Sequence, residues 1–154
     1  MSHWLYKNQP LLELPEKVMG FVYIITGPDR RKYIGRKYVT RRVKTKVNTK
    51  SKTAINKKKT KITLKESDWQ TYTGSNKQLT LDIEKFGKDQ FKFEILVFGE
   101  TKGHVNFLEE FFQMRFNVLL DPTFYNDSVG ARGFIALKNN QKLFEIVHEI
   151  ERSL

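Results

Sequence analysis

Residues 20–37, Gly-Phe-Val-Tyr-Ile-Ile-Thr-Gly-Pro-Asp-Arg-Arg-Lys-Tyr-Ile-Gly-Arg-Lys, constrain the fold more than any other stretch of the chain. Two short apolar runs, 21–26 and 32–35, flank Gly27-Pro28-Asp29. Proline presets one turn dihedral, glycine and aspartate tolerate the others, and β-branched and aromatic residues fill the flanks. The pattern predicts a β-hairpin. With the turn centred on Pro28, Tyr23 and Tyr33 are equidistant from it, and directly opposed residues on antiparallel strands project to one face. Two phenols are thus expected side by side, with Gly35 leaving that face open to a close ligand backbone.

The 154 residues suit one domain with a real core, and 39% hydrophobic and 13% aromatic content agree. No apolar run approaches about 20 residues, so no transmembrane helix is expected. The N-terminus lacks a basic-then-apolar signal pattern, and there are no cysteines, which excludes disulfides and thiolate chemistry. A cytoplasmic location, in a bacterial or phage-infected cell, is the expectation. A net charge of +11 calls for a polyanionic partner, and nucleic acid is the commonest.

Around Pro10 and Pro15, residues 1–19 keep no helical period, so an extended arm with Trp4 and Tyr6 as packing anchors is expected. From Arg36 to Lys65 there are thirteen lysines and arginines and no acid. Such a run is self-repelling without a counter-charge, and phosphate supplies one. Ser75 reads as the N-cap of a helix over 76–86, with Leu79, Ile83 and Phe86 on one face and Gly87 at its end. Phe91, Phe93, Ile95 and Val97 alternate with polar or outward residues and predict a third strand. A second helix is expected from Thr101 to about Asn117, a breaker at Asp121-Pro122, and a last helix over about 140–152. The domain plan is an arm over 1–19, one domain over 20–135 with a basic insertion at about 43–66, and a C-terminal helix over 136–154 packed on it.

Phe21-Val22-Tyr23 and Tyr33-Ile34-Gly35 resemble the paired motifs of the GIY-YIG nuclease family. The second matches letter for letter, and the first keeps the tyrosine. Gly-Phe-Val-Tyr-Ile-Ile-Thr, Lys-Glu-Ser-Asp-Trp at 65–69, Tyr-Thr-Gly-Ser-Asn-Lys and Phe-Tyr-Asn are most similar to its phage-type, free-standing homing endonucleases. The resemblance covers roughly residues 20–126. It implies an α/β (α+β) fold with a three-stranded antiparallel sheet flanked by helices. It also implies an arginine on a helix after the second motif, a glutamate on the last core helix and an asparagine after a tyrosine. The matching positions are Arg42, Glu109 and Asn126. Arg41 and Arg42 are adjacent, as are Glu109 and Glu110; Arg42 is preferred, and Glu109 because Phe112 follows it at +3.

The resemblance implies a metal-dependent endonuclease acting on double-stranded DNA. Glu109 would hold one divalent cation, Mg²⁺ or Mn²⁺, because a lone carboxylate suits an ion that keeps much of its hydration. Tyr23 would orient or deprotonate the attacking water. A phenol of pKa about 10 is a poor base at neutral pH, so Arg36, Lys37 or Arg42 would have to lower it. Arg42 would clamp the scissile phosphate, and Tyr33 and Asn126 would position water and phosphate. Arg36, Lys37, Arg41, Lys44, Lys46, Lys57, Lys58, Lys59 and Lys61 are the expected DNA-binding cations. His3, His104 and His148 show no metal-ligand spacing. The alternative is a non-catalytic nucleic-acid-binding module on the same scaffold. It should lack one of Tyr23, Arg42, Glu109 or Asn126, and all four are present.

Overall fold

The structure is a computed structural model that describes residues 2–46, 60–130, 132–133 and 141–153. Short strands β1 (Leu5–Tyr6) and β2 (Gln9–Pro10) come first, followed by β3 (Gly20–Thr26) and β4 (Lys32–Tyr38). β5 (Thr40–Lys46) and β6 (Thr60–Glu66) form a ribbon of their own. Next come α1 (Lys77–Phe86), β7 (Lys92–Gly99), α2 (Lys102–Arg115), the two-residue strands β8 (Ser128–Val129) and β9 (Arg132–Gly133), and α3 (Gln141–Ser153). The main sheet has the order β2-β1-β7-β3-β4. Its β7-β3-β4 side is the expected antiparallel trio. No helix among the described residues is long and apolar enough to cross a membrane.

The predicted hairpin is β3–β4, but its register differs from the expected one. The turn occupies residues 27–31, closed by Gly27 N donating to the Arg31 carbonyl at 2.8 Å and by the Asp29 carboxylate accepting from Arg31 N at 3.1 Å. Ile24 therefore faces Ile34, Tyr23 faces Gly35 and Tyr33 faces Ile25. The slip is two residues, and a strand repeats its facing every two, so both tyrosines still share one face. They are diagonal neighbours rather than a direct pair.

The arm does more than lie on the core. β1 adds to β7 in parallel, and Lys7 and Asn8, at φ 51° and 63°, turn the chain back into β2. Positive φ at both central residues is the geometry that two-residue hairpins favour, and Pro10 sits on an outer strand where no ladder donor is needed. Trp4 is fully buried against Phe21, Tyr23 and Phe93, and its indole N–H donates to the Trp69 carbonyl at 2.6 Å. On this face the core also holds Ile25, Leu79 of α1 and Ile95.

The opposite face packs Val22 and Ile34 against Val118, Leu119, Phe124 and the α2 side chains Leu108 and Phe112. Between Val22 and Tyr23 the β3–β7 register shifts, so Val22 faces Val97 but Tyr23 faces Ile95. That bulge at Leu96 inverts the later alternation of β7. Val97, expected beside Ile95, packs on the α2 side, and Phe98 takes its place on the Trp4 side.

One cap assignment and the basic segment also need correction. Asn76, not Ser75, caps α1: its side-chain oxygen accepts from Leu79 N at 3.0 Å, while its amide donates to the Tyr125 carbonyl at 2.8 Å. The amide serves both partners at once, its oxygen accepting at the helix while its nitrogen, farther along the side chain, donates to Tyr125. Thr101 caps α2 as expected, accepting from His104 N. Arg42, expected on a helix, lies on β5, because a run with β-branched Thr40, Val43 and Thr45 pairs with β6 instead. The ribbon is rooted at buried Val39, whose N–H donates to Met19 O and whose carbonyl accepts from Ser67 N. In α3, two apolar positions expected to pack on the domain, Ile146 and Ile150, are exposed.

Candidate active site

The site forms at the outer edge of β4. From Lys32 the segment 123–125 runs along that edge, with Lys32 N donating to Thr123 O and Tyr125 N to Lys32 O, at 2.8 and 2.7 Å. Asn126 then continues the ladder with its side chain. Its Oδ1 accepts from Ile34 N at 3.0 Å and its Nδ2 donates to Ile34 O at 2.7 Å. Gln113 of α2 donates to the same Ile34 carbonyl at 3.0 Å and accepts from Gly130 N at 2.7 Å. Buried amide pairs like these leave the β4 backbone satisfied where no further strand covers it.

Beyond Ile34 the edge opens into a cleft of about 570 Å³. Tyr23, Tyr33, Arg42, Glu109 and Asn126, drawn from β3, β4, β5, α2 and the 123–126 segment, all line it. Arg36, Lys37 and Arg41 line it too. Of the other expected DNA-binding cations, Lys44 is exposed on β5; Lys46 and Lys61 are strand residues, and Lys57, Lys58 and Lys59 lie outside the described residues. The adjacency of Arg41 and Arg42 is not resolved by the cleft, since both reach it.

Gly35 explains how Tyr23 arrives there. A Cβ on Gly35 would stand 2.6 Å from the Tyr23 hydroxyl, 2.9 Å from Cζ and 3.0 Å from Cε1 of Tyr33. The space expected to admit a ligand backbone is thus filled by the Tyr23 phenol, which crosses β4 to the cleft. Tyr23 is 1% exposed and wedged against Trp4, so its ring has little room to yield. Gly35→Ala should cost about 1–3 kcal/mol by overpacking and lower activity with it. Urea titration measures the first, and a midpoint equal to that of the parent protein would refute this packing.

Burial pushes the Tyr23 phenol well above its ordinary value of 10, and Tyr33 and Tyr72 add to the rise. Arg36 acts the other way but more weakly. The expectation that neighbouring cations lower this pKa is therefore overturned: desolvation outweighs them. Tyr33, whose ring lies 6.2 Å from that of Tyr23 and whose hydroxyl meets Ser75 Oγ at 3.2 Å, is raised as well, also by burial. Both phenols keep their protons at neutral pH and serve as hydrogen-bonding groups.

Glu109 enters from the other side of β4. Val105, Glu109 and Gln113 recur every four residues and form the buried face of α2, whereas Glu110 is exposed and turns its carboxylate toward Gly130. Of the two adjacent glutamates, Glu109 lines the cleft. Its carboxylate forms an ion pair with the Arg36 guanidinium. Arg36, expected among the DNA-binding cations, is also the ion-pair partner of Glu109, which the motif spacing does not reveal. The signal was its parity, for it shares the α2 side of the sheet with Val22 and Ile34. Lys37, one residue on, points to the opposite side, pairs with Asp68 at 2.6 Å and lies 3.7 Å over the Tyr72 ring. Its hydrogen bond is the main cause holding the Asp68 carboxyl below the usual range.

The sequence matches the family described as "Putative endonuclease segE, GIY-YIG domain" over residues 4–129, most of the chain. The protein belongs to the GIY-YIG nuclease family. No match was found among curated proteins or solved structures. GIY-YIG nucleases generally use divalent metal ions. Among the described residues no three His, Cys, Asp or Glu side chains cluster as a preformed metal cage. A buried carboxylate opening on a polar cleft fits the other kind of site, one protein ligand with water and phosphate completing the shell. Among the described residues of the cleft, Glu109 is the carboxylate that meets that description.

Proposed function

We propose that the protein is a metal-dependent endonuclease that hydrolyses phosphodiester bonds in double-stranded DNA, of the phage homing type. The convergence of Tyr23, Tyr33, Arg36, Arg42 and Glu109 on one basic cleft, from positions up to 86 residues apart, carries this reading. Arg42 is exposed at the mouth, where a guanidinium can clamp the scissile phosphate through two parallel hydrogen bonds. Tyr23, protonated, orients the attacking water by hydrogen bonding. Tyr33 and Ser75 support it from the same side. Asn126 acts through Ile34, holding the β4 edge in place. Glu109 would be the ligand for Mg²⁺ or Mn²⁺, with Arg36 as the counter-charge that holds the carboxylate ready. Such an ion, when bound, stabilises charge on the phosphate and the departing oxygen.

The test is plasmid cleavage by the purified protein with Mg²⁺, with Mn²⁺ and with EDTA. Nicked or linear product in the first two and none in the third is expected. Retained duplex binding without cleavage under any condition would leave only the binding-module reading.

A further inference from the structure

The ribbon β5–β6 is solvated on both faces, yet one face is not uniformly polar. Arg42 stands directly opposite Leu64, and Lys44 opposite Ile62, so these four side chains share a face. Leu64 and Ile62 are 63% and 54% exposed. The other face carries Arg41 opposite Lys65 and Val43 opposite Thr63. A two-stranded ribbon without a packed apolar face is marginally stable by itself, so two exposed aliphatic residues on it are unexplained by folding. The ribbon leads out of the cleft, because Thr40 and Arg42 of this face and Arg41 of the other all line it at the ribbon's root.

We infer that this face of the ribbon enters the major groove of duplex DNA next to the scissile phosphate, with Ile62 and Leu64 touching thymine methyl groups and Arg42 and Lys44 on the backbone. The inference rests on the reading of the protein as a DNA endonuclease and adds direct base recognition to it. The dimensions agree: the major groove is about 12 Å wide and admits a two-stranded β-ribbon. From Arg42 to Lys44 and from Ile62 to Leu64 the strands advance about 7 Å, roughly two base pairs. Charge agrees as well: no acid occurs between residues 36 and 65, and Glu66, opposite Thr40 at the root of this face, accepts a hydrogen bond from the Trp69 indole. The thymine methyl is the one apolar feature a base pair shows in that groove, and aliphatic side chains recognise it. A second copy of the chain is a poorer occupant, because lysine-rich strand edges oppose pairing. Duplex RNA is poorer still, as its major groove is too narrow and deep.

The experiment measures binding by fluorescence anisotropy, without divalent metal, to a 30-base-pair alternating A·T duplex and to the same duplex with uracil for thymine. Every register of such a duplex presents methyl groups. The parent protein should prefer thymine by on the order of fourfold for each methyl buried. Ile62→Ser with Leu64→Ser should bind both duplexes equally, with an unchanged melting temperature because both positions are exposed. Lys44→Ala should keep the thymine preference while its slope of log affinity against log salt falls by about 0.9. Equal binding of the two duplexes by the parent protein, a preference that survives in the double serine variant, or a dimer that this variant dissolves would each overturn the inference. A protein that distinguishes thymine but never cuts would sink the nuclease reading and leave this one standing. One that cuts but is blind to the methyl does the reverse.

Discussion

Glu109→Gln should abolish DNA cleavage while duplex binding survives. Glutamine keeps the shape of the side chain and can still accept a hydrogen bond from Arg36, so the fold should persist. What is lost is the one buried carboxylate that lines the cleft among the described residues. Stabilisation of a phosphoryl transition state by a bound ion is worth several kcal/mol, so the single-turnover rate should fall by about 10³-fold or more. Glu110→Gln should be nearly silent, because that side chain is exposed and directed toward Gly130. Measuring rate, anisotropy and thermal melting on both variants separates chemistry from folding. A dead Glu110→Gln beside an active Glu109→Gln would mean that α2 presents a different face to the site.

The second large effect concerns Tyr23 and pH. Tyr23→Phe removes one hydroxyl and should lower the single-turnover rate by about 10²-fold, the scale of losing one preorganised hydrogen-bonding group. Binding should be unaffected. Because burial raises this phenol's pKa, the working form is neutral, and the parent and variant profiles should be parallel between pH 6 and pH 9. A rise in rate with pH that vanishes in Tyr23→Phe would show instead that the phenol ionises during the reaction. The same shift has a stability consequence with a definite sign. The folded state resists losing the proton more than the unfolded chain does, so stability is full below about pH 10 and falls as pH rises beyond it. That fall should be shallower in Tyr23→Phe.

Much of the architecture could be read from local pattern. The hairpin, both long helices of the domain and the third strand follow from turn residues, periodicity and capping, all of which act within a few residues. Glu109 is preferred to Glu110 because Phe112 follows it at +3, and the helix turns Glu109 to its buried face. The facing of Tyr23 and Tyr33 survived a wrong turn centre for a similar reason: an error of two residues preserves strand parity. The gathering of the predicted residues in one cleft follows from that same order of elements.

Other features were decided only when the chain closed on itself. The arm's pairing with β7 depends on a free strand edge that residues 1–19 do not encode. The bulge at Leu96, which moves Val97 and Phe98 to unexpected faces, arises from two strands joined across more than seventy residues. Whether Arg42 lies on a strand or a helix was settled by a pairing partner, β6, beyond thirteen intervening residues. Most consequentially, the sequence places cations near Tyr23 and so suggests an acidic phenol. The fold buries that phenol beneath Trp4 and over Gly35, and a desolvation cost fixed by the whole core outweighs charges fixed by neighbours in the chain.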